Sequence, residues 1–437
     1  MGNRVRLLAE DLSELARRSW RSMRLRSRGT VSTFSKAVGV AERISKVRIF
    51  SASFSNAGAI KSKSPDVRVN PSFYRPELDS LRFLAFLGVF IQHSLPHSID
   101  VYEAHGLPKL LAPWIASITM GGAYGVDLFF VLSAYLITEL LQREFALTGG
   151  LDIRSFYIRR ILRIWPLYFF FLALCILLTL LGMGRQHFGV SYALAFILLA
   201  GNWICAFKGY PASVAAPLWS VSLEEQFYLT WPVLMRLVRV RRLMIAAVSM
   251  LVLAFATRLV LLFAGIPHPG VWCNTFARLD PIACGIILAA WLKGRRPTLS
   301  TGTRALAGAG ALSIWLVVAR YAPLDATVPL SVLVGYPAVA LAGSLLVVLF
   351  LACDLSKLPK LISSSGIYLG RISYGLYVYH LLAITIVGTV DRGGFATFWL
   401  SSLIITVVLS AISYRYLEQP FLRLKLRYTH VLSRPGG

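Results

Sequence analysis

The sequence predicts an all-α fold, a polytopic bundle of transmembrane helices, on three observations. Hydrophobic residues make up 56% of the 437 and charged residues only 15%, whereas soluble domains carry about 25% charged residues. Apolar runs recur at lengths that suit a bilayer, which needs about 20 residues per helix. Basic clusters fall between these runs rather than inside them, as cytoplasmic loops require.

The net charge of +25 would point to nucleic acid in a soluble chain. Here its placement assigns it to cytoplasmic loops and lipid headgroups, so membrane lipids are expected as partners and nucleic acid is not. Neither a Walker loop nor a Gly-x-Gly-x-x-Gly run occurs, which leaves nucleotide-driven transport without support. The five cysteines are scattered without Cys-x-x-Cys spacing, so neither a metal site nor a disulfide framework is predicted.

Along the chain, residues 1–72 are polar and rich in Ser and Arg. They read as a disordered, basic, cytoplasmic extension. Leu7, Leu8, Leu12, Leu15 and Ala16 would permit a short surface-lying amphipathic helix, and Glu10, Asp11 and Glu14 argue against a transit peptide. No secretory signal is read here, so the start is expected to stay in the cytoplasm. Residues 73–425 form the membrane domain, and 426–437 a cytoplasmic tail.

Within the membrane domain the apolar segments are 80–97, 120–142, 164–183, 190–207, 217–236, 243–265, 279–293, 304–321, 330–352, 367–390 and 396–417. If all of these crossed, the basic run from Arg236 to Arg242 would face outward, against the positive-inside rule. One member of the pair 190–207 and 217–236 must therefore fail to cross. Segment 217–236 carries Glu224, Glu225 and two prolines, and irregular backbone is tolerated at membrane depth only when protein or a cavity shields it. The expectation is about ten spans plus one re-entrant segment at 217–236, with both termini cytoplasmic.

Several constellations could carry chemistry. The run Arg75-Pro76-Glu77-Leu78-Asp79-Ser80-Leu81-Arg82 leads into an apolar stretch that reaches His93. Ionisable side chains inside a membrane segment are costly and mark functional sites. At 1.5 Å per residue, His93 lies about 21 Å along the helix from Asp79, in the outer half, while Arg82 stays near the cytoplasmic face. A histidine there is suited to act as a general base towards an alcohol; a packing histidine is the plainer alternative. Asp127 sits among aromatics in Gly125-Val126-Asp127-Leu128-Phe129-Phe130. It either orients a basic partner, as a carboxylate orients an imidazole, or pairs structurally with an arginine.

Arg160 and Arg163, at i and i+3, share one helical face. Paired guanidinium groups suit a phosphate-bearing ligand such as coenzyme A, although ordinary positive-inside charge accounts for them as well. Glu224, in Trp219-Ser220-Val221-Ser222-Leu223-Glu224-Glu225, needs a cavity or a partner. It would touch a sugar hydroxyl, steady a catalytic group, or face water at the mouth of the re-entrant turn. Ser373-Tyr374-Gly375-Leu376-Tyr377-Val378-Tyr379-His380 supplies a second intramembrane histidine. His380 is the one rival to His93 as base, and Asp79 and Tyr374 are further candidates. Arg278-Leu279-Asp280 and the block from Tyr414 to Phe421 read as structural when taken singly.

In this order the blocks resemble the acyltransferase-3 family of integral membrane O-acyltransferases. The matching residues run from Arg75 to His93, Gly125 to Ile137, Tyr157 to Tyr168, Trp219 to Tyr228, Arg278 to Gly285, Ser373 to His380 and Tyr414 to Phe421. The resemblance covers about residues 73–425. It implies transfer of an acyl group, commonly acetyl, from cytoplasmic acyl-CoA to a hydroxyl of a surface or exported carbohydrate, free or lipid-linked, at a bacterial inner membrane. It also implies that Arg82 and His93 form the family's Arg-x10-His motif, and Arg160 and Arg163 its Arg-x-x-Arg motif. One departure stands out: Ser133-Ala134-Tyr135 replaces the usual Ser-Gly-aromatic. The expected mechanism is direct transfer with His93 as base, because no serine or cysteine has the context of a nucleophile. The rival expectation is a transporter that flips a glycan, a lipid or an acyl carrier, for which intramembrane His, Asp and Glu would serve as a proton relay.

Overall fold

A computed structural model describes residues 73–182, 188–238, 242–357, 359–390 and 394–428. The basic extension 1–72 and the tail beyond residue 428 lie outside the described residues. Among those described, every regular element is a helix. The helices of eight residues or more are α1 Pro76–Ser94, α2 Ala112–Gly121, α3 Gly125–Thr148, α4 Ile153–Leu180, α5 Val190–Ile197, α6 Gly201–Lys208 and α7 Leu218–Val238. They continue with α8 Leu243–Phe263, α9 Leu279–Leu292, α10 Thr301–Tyr321, α11 Tyr336–Leu351, α12 Lys360–Arg371, α13 Ser373–Val390 and α14 Phe395–Ser413.

Local sequence explains the boundaries. Pro76 opens α1 at a position where its missing N–H costs nothing. Asp152 caps α4 by accepting from the Ser155 N–H at 3.0 Å, and Ser300 caps α10 by accepting from Thr303 N–H at 3.1 Å. Gly149 ends α3 in the left-handed conformation, at φ 74°, which glycine adopts at no steric cost.

Seven helical stretches among the described residues are long and apolar enough to cross a membrane by length and composition. Helices α1, α7 and α9 fall outside that measure for physical reasons. Helix α1 carries Glu77, Asp79 and Arg82, and α7 carries Glu224, Glu225 and Arg236. Both lie largely inside the bundle, where Arg82 pairs with Asp79 and where Glu224 and Glu225 accept from protein donors. Helix α9, at 14 residues, spans only about 21 Å.

The irregular backbone expected of a re-entrant segment at 217–236 is corrected: Leu218–Val238 forms one continuous helix of 21 residues, and the interruption falls in the other member of the pair. There α5 and α6, eight residues each, are separated at Leu198–Ala200, where Leu199 takes a positive φ of 56°. Several polar groups on helix α7 find partners inside the bundle. Glu225 accepts from Trp165 Nε1 at 2.9 Å, Glu224 accepts from Ser133 and Tyr228, and Trp231 Nε1 donates to Thr138 Oγ1 at 2.9 Å.

Helices α1, α3 and α9 form the close-packed centre, and α3 against α9 is the most extensive pairing. Small residues permit it. A Cβ on Gly125 would strike the Ala85 carbonyl oxygen, and one on Gly285 would lie 2.7 Å from Ala134 Cβ. Helices α13 and α14 pack as a pair, and α12 lies across α1. Large aliphatic side chains on α8 and α14 are exposed, among them Ile245, Val252, Ile404 and Ile412, as a lipid-facing surface demands.

Candidate active site

Two chambers open into the bundle, near opposite ends of α1. The first lies at the N-terminal end of α1 and holds a cavity of about 140 Å³. Arg75, Arg82, Arg160, Arg163 and Lys425 line it together with Asp79 and Glu224, so the chamber is markedly basic. Asp79 is not idle: it accepts from Arg82 Nη1 at 2.9 Å. The Arg160 guanidinium stacks between the rings of Phe156 and Tyr228, 5.4 and 5.5 Å from their centroids. Tyr228 and Ser133 both donate to the same oxygen of Glu224, which ties α7 to α3 across the chamber wall. Tyr374 also lines it, with its hydroxyl donating to the Ile164 carbonyl at 3.1 Å.

The second chamber lies at the C-terminal end of α1 and holds a cavity of about 390 Å³. His93 lines it, although the residue sits deep in the protein: its ring is exposed to the chamber. Trp219, Trp272, Tyr124 and Tyr210 supply aromatic wall, while Gln92, His97, His268 and Asp325 supply polar groups. His268 lies on the loop after α8, where burial pushes its pKa below the ordinary histidine value and Asp325 partly offsets the shift. Val126 and Tyr377 line both chambers. The Tyr377 hydroxyl lies 2.7 Å from Ser220 Oγ and donates to the Pro217 carbonyl at 3.0 Å.

The sequence-derived candidates are therefore distributed. Arg82, Arg160, Arg163, Asp79, Glu224 and Tyr374 meet in the first chamber, and His93 stands in the second. Asp127 lines neither. It is 1% exposed and pairs with Arg278 Nη2 at 3.0 Å, so its basic partner is an arginine. The Arg278 guanidinium lies 4.0 Å from the Trp272 ring centroid, which connects the pair to the wall of the second chamber. His380 is wholly buried and also lines neither chamber.

Sequence reasoning missed Tyr377 and the aromatic and polar wall of the second chamber. Tyr377 was within reach, since it lies three residues before His380 on one helical face. Asp325 and His268 sit on loops outside every motif block, and nothing local in the sequence singles them out.

These features define an integral membrane helical bundle with a basic chamber near one end of α1, a histidine-lined chamber near the other, and Val126 and Tyr377 as their common wall. The acyltransferase-3 family, described as an acyltransferase domain, matches residues 75–415. The chain belongs to that family.

Among curated proteins it is similar to the peptidoglycan O-acetyltransferase OatA of Listeria monocytogenes, with 28% identity over 366 residues, 79% of this chain and 56% of that protein. A Bacillus subtilis protein named "Putative peptidoglycan O-acetyltransferase YrhL" is 29% identical over 372 residues, 79% of this chain and 55% of the relative. A Staphylococcus aureus protein named "Putative O-acetyltransferase SAS0844" is 27% identical over 368 residues, 80% and 57% of the two chains. The chain thus spans little more than half the length of these relatives. No solved structure gives a significant match.

Proposed function

We propose that this protein is a membrane O-acyltransferase that moves an acyl group, acetyl in the simplest case, from acyl-CoA to a hydroxyl of a surface or exported carbohydrate. The observation that carries the reading is the pair of chambers with Val126 and Tyr377 as common wall. A donor and an acceptor can approach from opposite ends and react at the partition without either crossing the bundle.

In this reading acyl-CoA enters the first chamber from the cytoplasm. Its phosphates meet Arg160 and Arg163, with Arg82 and Arg75 alongside; guanidinium groups bind phosphate oxygens through charge-assisted hydrogen bonds. The pantetheine arm extends toward Tyr377. The carbohydrate enters the second chamber, where aromatic faces and the polar groups of Gln92, His268 and Asp325 suit a ring that presents both C–H faces and hydroxyls. His93 removes the proton of the acceptor hydroxyl, whose oxygen bonds to the thioester carbonyl carbon. The C–S bond then breaks, and the CoA sulfur leaves with the proton returned by His93. Orientation and exclusion of water supply much of the rate. Both termini would face the cytoplasm of a bacterial inner membrane, consistent with the basic character of the first chamber.

Two chambers on opposite ends would also suit a transporter for a glycan, a lipid or an acyl carrier. The deciding experiment follows [14C]acetyl-CoA in membrane vesicles holding the full-length protein and endogenous acceptor. Label transferred to a saccharide fraction, and lost with His93→Ala at equal expression, is the expected result. Unconsumed acetyl-CoA together with movement of a glycan across the vesicle would overturn the reading in favour of transport.

A further inference from the structure

We infer that His380 is a positioning residue: its imidazole fixes which nitrogen of His93 faces the acceptor. This rests on the reading of His93 as the base.

The hydrogen-bond geometry assigns the protons. His380 Nδ1 lies 2.5 Å from the Tyr377 carbonyl oxygen. A carbonyl only accepts, so that nitrogen carries a hydrogen. His93 Nδ1 lies 3.0 Å from the Val89 carbonyl oxygen, and by the same argument it carries one too. His93 Nδ1 is also 3.2 Å from His380 Nε2. A hydrogen on both of these nitrogens would set two donors face to face. His380 Nε2 therefore presents its lone pair, and His93 Nδ1–H is shared between that lone pair and the Val89 carbonyl. The other nitrogen, His93 Nε2, has no partner among the described residues and belongs to the ring that lines the second chamber. It is left with a lone pair to receive a proton.

The arrangement has the logic of an oriented imidazole, with a neutral histidine where a carboxylate more often stands. Neither ring can turn freely. Both nitrogens of His380 are engaged, and its ring packs edge-on against Phe86 at 6.3 Å. Because His380 lines neither chamber, it acts through His93 and not on substrate. When His93 takes up a proton, His380 Nε2 accepts from the resulting imidazolium, so the contact strengthens as the reaction proceeds.

Glutamine at position 380 can place an amide oxygen where Nε2 now stands, whereas phenylalanine keeps the ring volume without an acceptor. The first readout needs no acceptor sugar. Full-length protein in lipid nanodiscs is treated with diethylpyrocarbonate, which acylates a neutral imidazole nitrogen bearing a free lone pair, and carbethoxylation is followed by peptide mass spectrometry. His93 should react and His380 should not. In His380→Phe the His93 rate should fall by about ten- to hundred-fold, the worth of one hydrogen bond to a charged group, and His380→Gln should recover most of it. The second readout is [14C]acetyl transfer in native membranes, where His380→Phe should lower kcat with the KM for acetyl-CoA unchanged.

Equal His93 reactivity in wild type, His380→Phe and His380→Gln would overturn the inference, as would modification of His380 before His93. The reading of His93 as base fails separately, if His93→Ala retains full transfer.

Discussion

The hydroxyls of Tyr377 and Ser220 lie 2.7 Å apart, joining α13 to α7 at the wall common to both chambers. The Pro217 carbonyl lies within hydrogen-bond reach of both hydroxyls, at 3.1 and 3.0 Å, which anchors the wall common to the two chambers. Tyr377→Phe keeps the ring and removes one hydrogen bond, so it should cost about 1 kcal/mol in stability and leave transfer largely coupled to acceptor. Tyr377→Ala removes the partition. Water should then reach the thioester, and acetyl-CoA hydrolysis should rise several-fold relative to acetyl transfer. Measuring the ratio of free CoA to acetylated product checks this. A ratio unchanged in Tyr377→Ala would mean that the ring does not separate the chambers.

Arg160 and Arg163 predict a binding defect specific to phosphate. Losing one charge-assisted contact costs about 1.5–3 kcal/mol, so Arg160→Ala should raise the KM for acetyl-CoA by about 10- to 100-fold with a smaller change in kcat. Arg160→Lys should rescue only in part, because a point charge does not reproduce the bidentate fork. A donor lacking the 3′-phosphate tells whether that group is the one contacted: the penalty should then shrink for one of the two arginines. Initial-rate kinetics with both donors decides it, and an unaltered KM in Arg160→Ala and Arg163→Ala alike would return these residues to plain topological charge.

The fold class was legible because membrane helices announce themselves by composition alone. The grouping of residues in the first chamber was legible because they cluster in sequence blocks: Asp79 and Arg82 lie one turn apart, as do Arg160 and Arg163. The location of the broken segment was not. Glu224, Glu225 and Pro232 look incompatible with a buried helix until Ser133 and Tyr228 are seen to donate to Glu224, and Trp165 to one oxygen of Glu225. The break at Leu199 carries neither glycine nor proline at that position. The second chamber was illegible for a different reason. Its wall joins α1, α7, α13 and loop residues such as His268 and Asp325, and no periodicity in one sequence brings distant loops together.

Asp127 and Arg278 are 1% and 0% exposed and pair at 3.0 Å. Removing one partner strands a buried charge, which costs about 3–5 kcal/mol, whereas replacing both by apolar groups is often neutral. Asp127→Leu should therefore lower thermal stability sharply, and Asp127→Leu with Arg278→Met should regain most of it, measured by melting of the purified protein in lipid nanodiscs. Activity reports on a further link. Since Arg278 lies over Trp272, the double variant should fold yet bind acceptor more weakly, raising its apparent KM while the KM for acetyl-CoA holds. A well-folded but wholly inactive Asp127→Asn would instead point to direct participation in the chemistry.

Ala134 and Gly285 form the tightest test of how this chain departs from its family's pattern. Ala134 occupies the position where the family resemblance implies a glycine, and Gly285 on α9 faces it across the most extensive helix pairing. A Cβ at Gly285 would sit 2.7 Å from Ala134 Cβ, 2.5 Å from the Val131 carbonyl oxygen and 2.8 Å from the Tyr135 amide nitrogen. One methyl thus fits between α3 and α9, on the α3 side. Gly285→Ala adds a second and should destabilise by about 1–3 kcal/mol, the usual range for overpacking. Moving the methyl, with Ala134→Gly and Gly285→Ala together, should recover only part of this, because the clash with the α3 backbone remains. Ala134→Gly alone should cost about 1 kcal/mol from the small void and the added backbone entropy. Since Ser133 adjoins Ala134 and donates to Glu224, the Gly285→Ala strain should also reach the first chamber and, on the proposed reading, raise the KM for acetyl-CoA. Full additivity of the two substitutions in thermal melts would mean that the residues do not touch, and would sink the account.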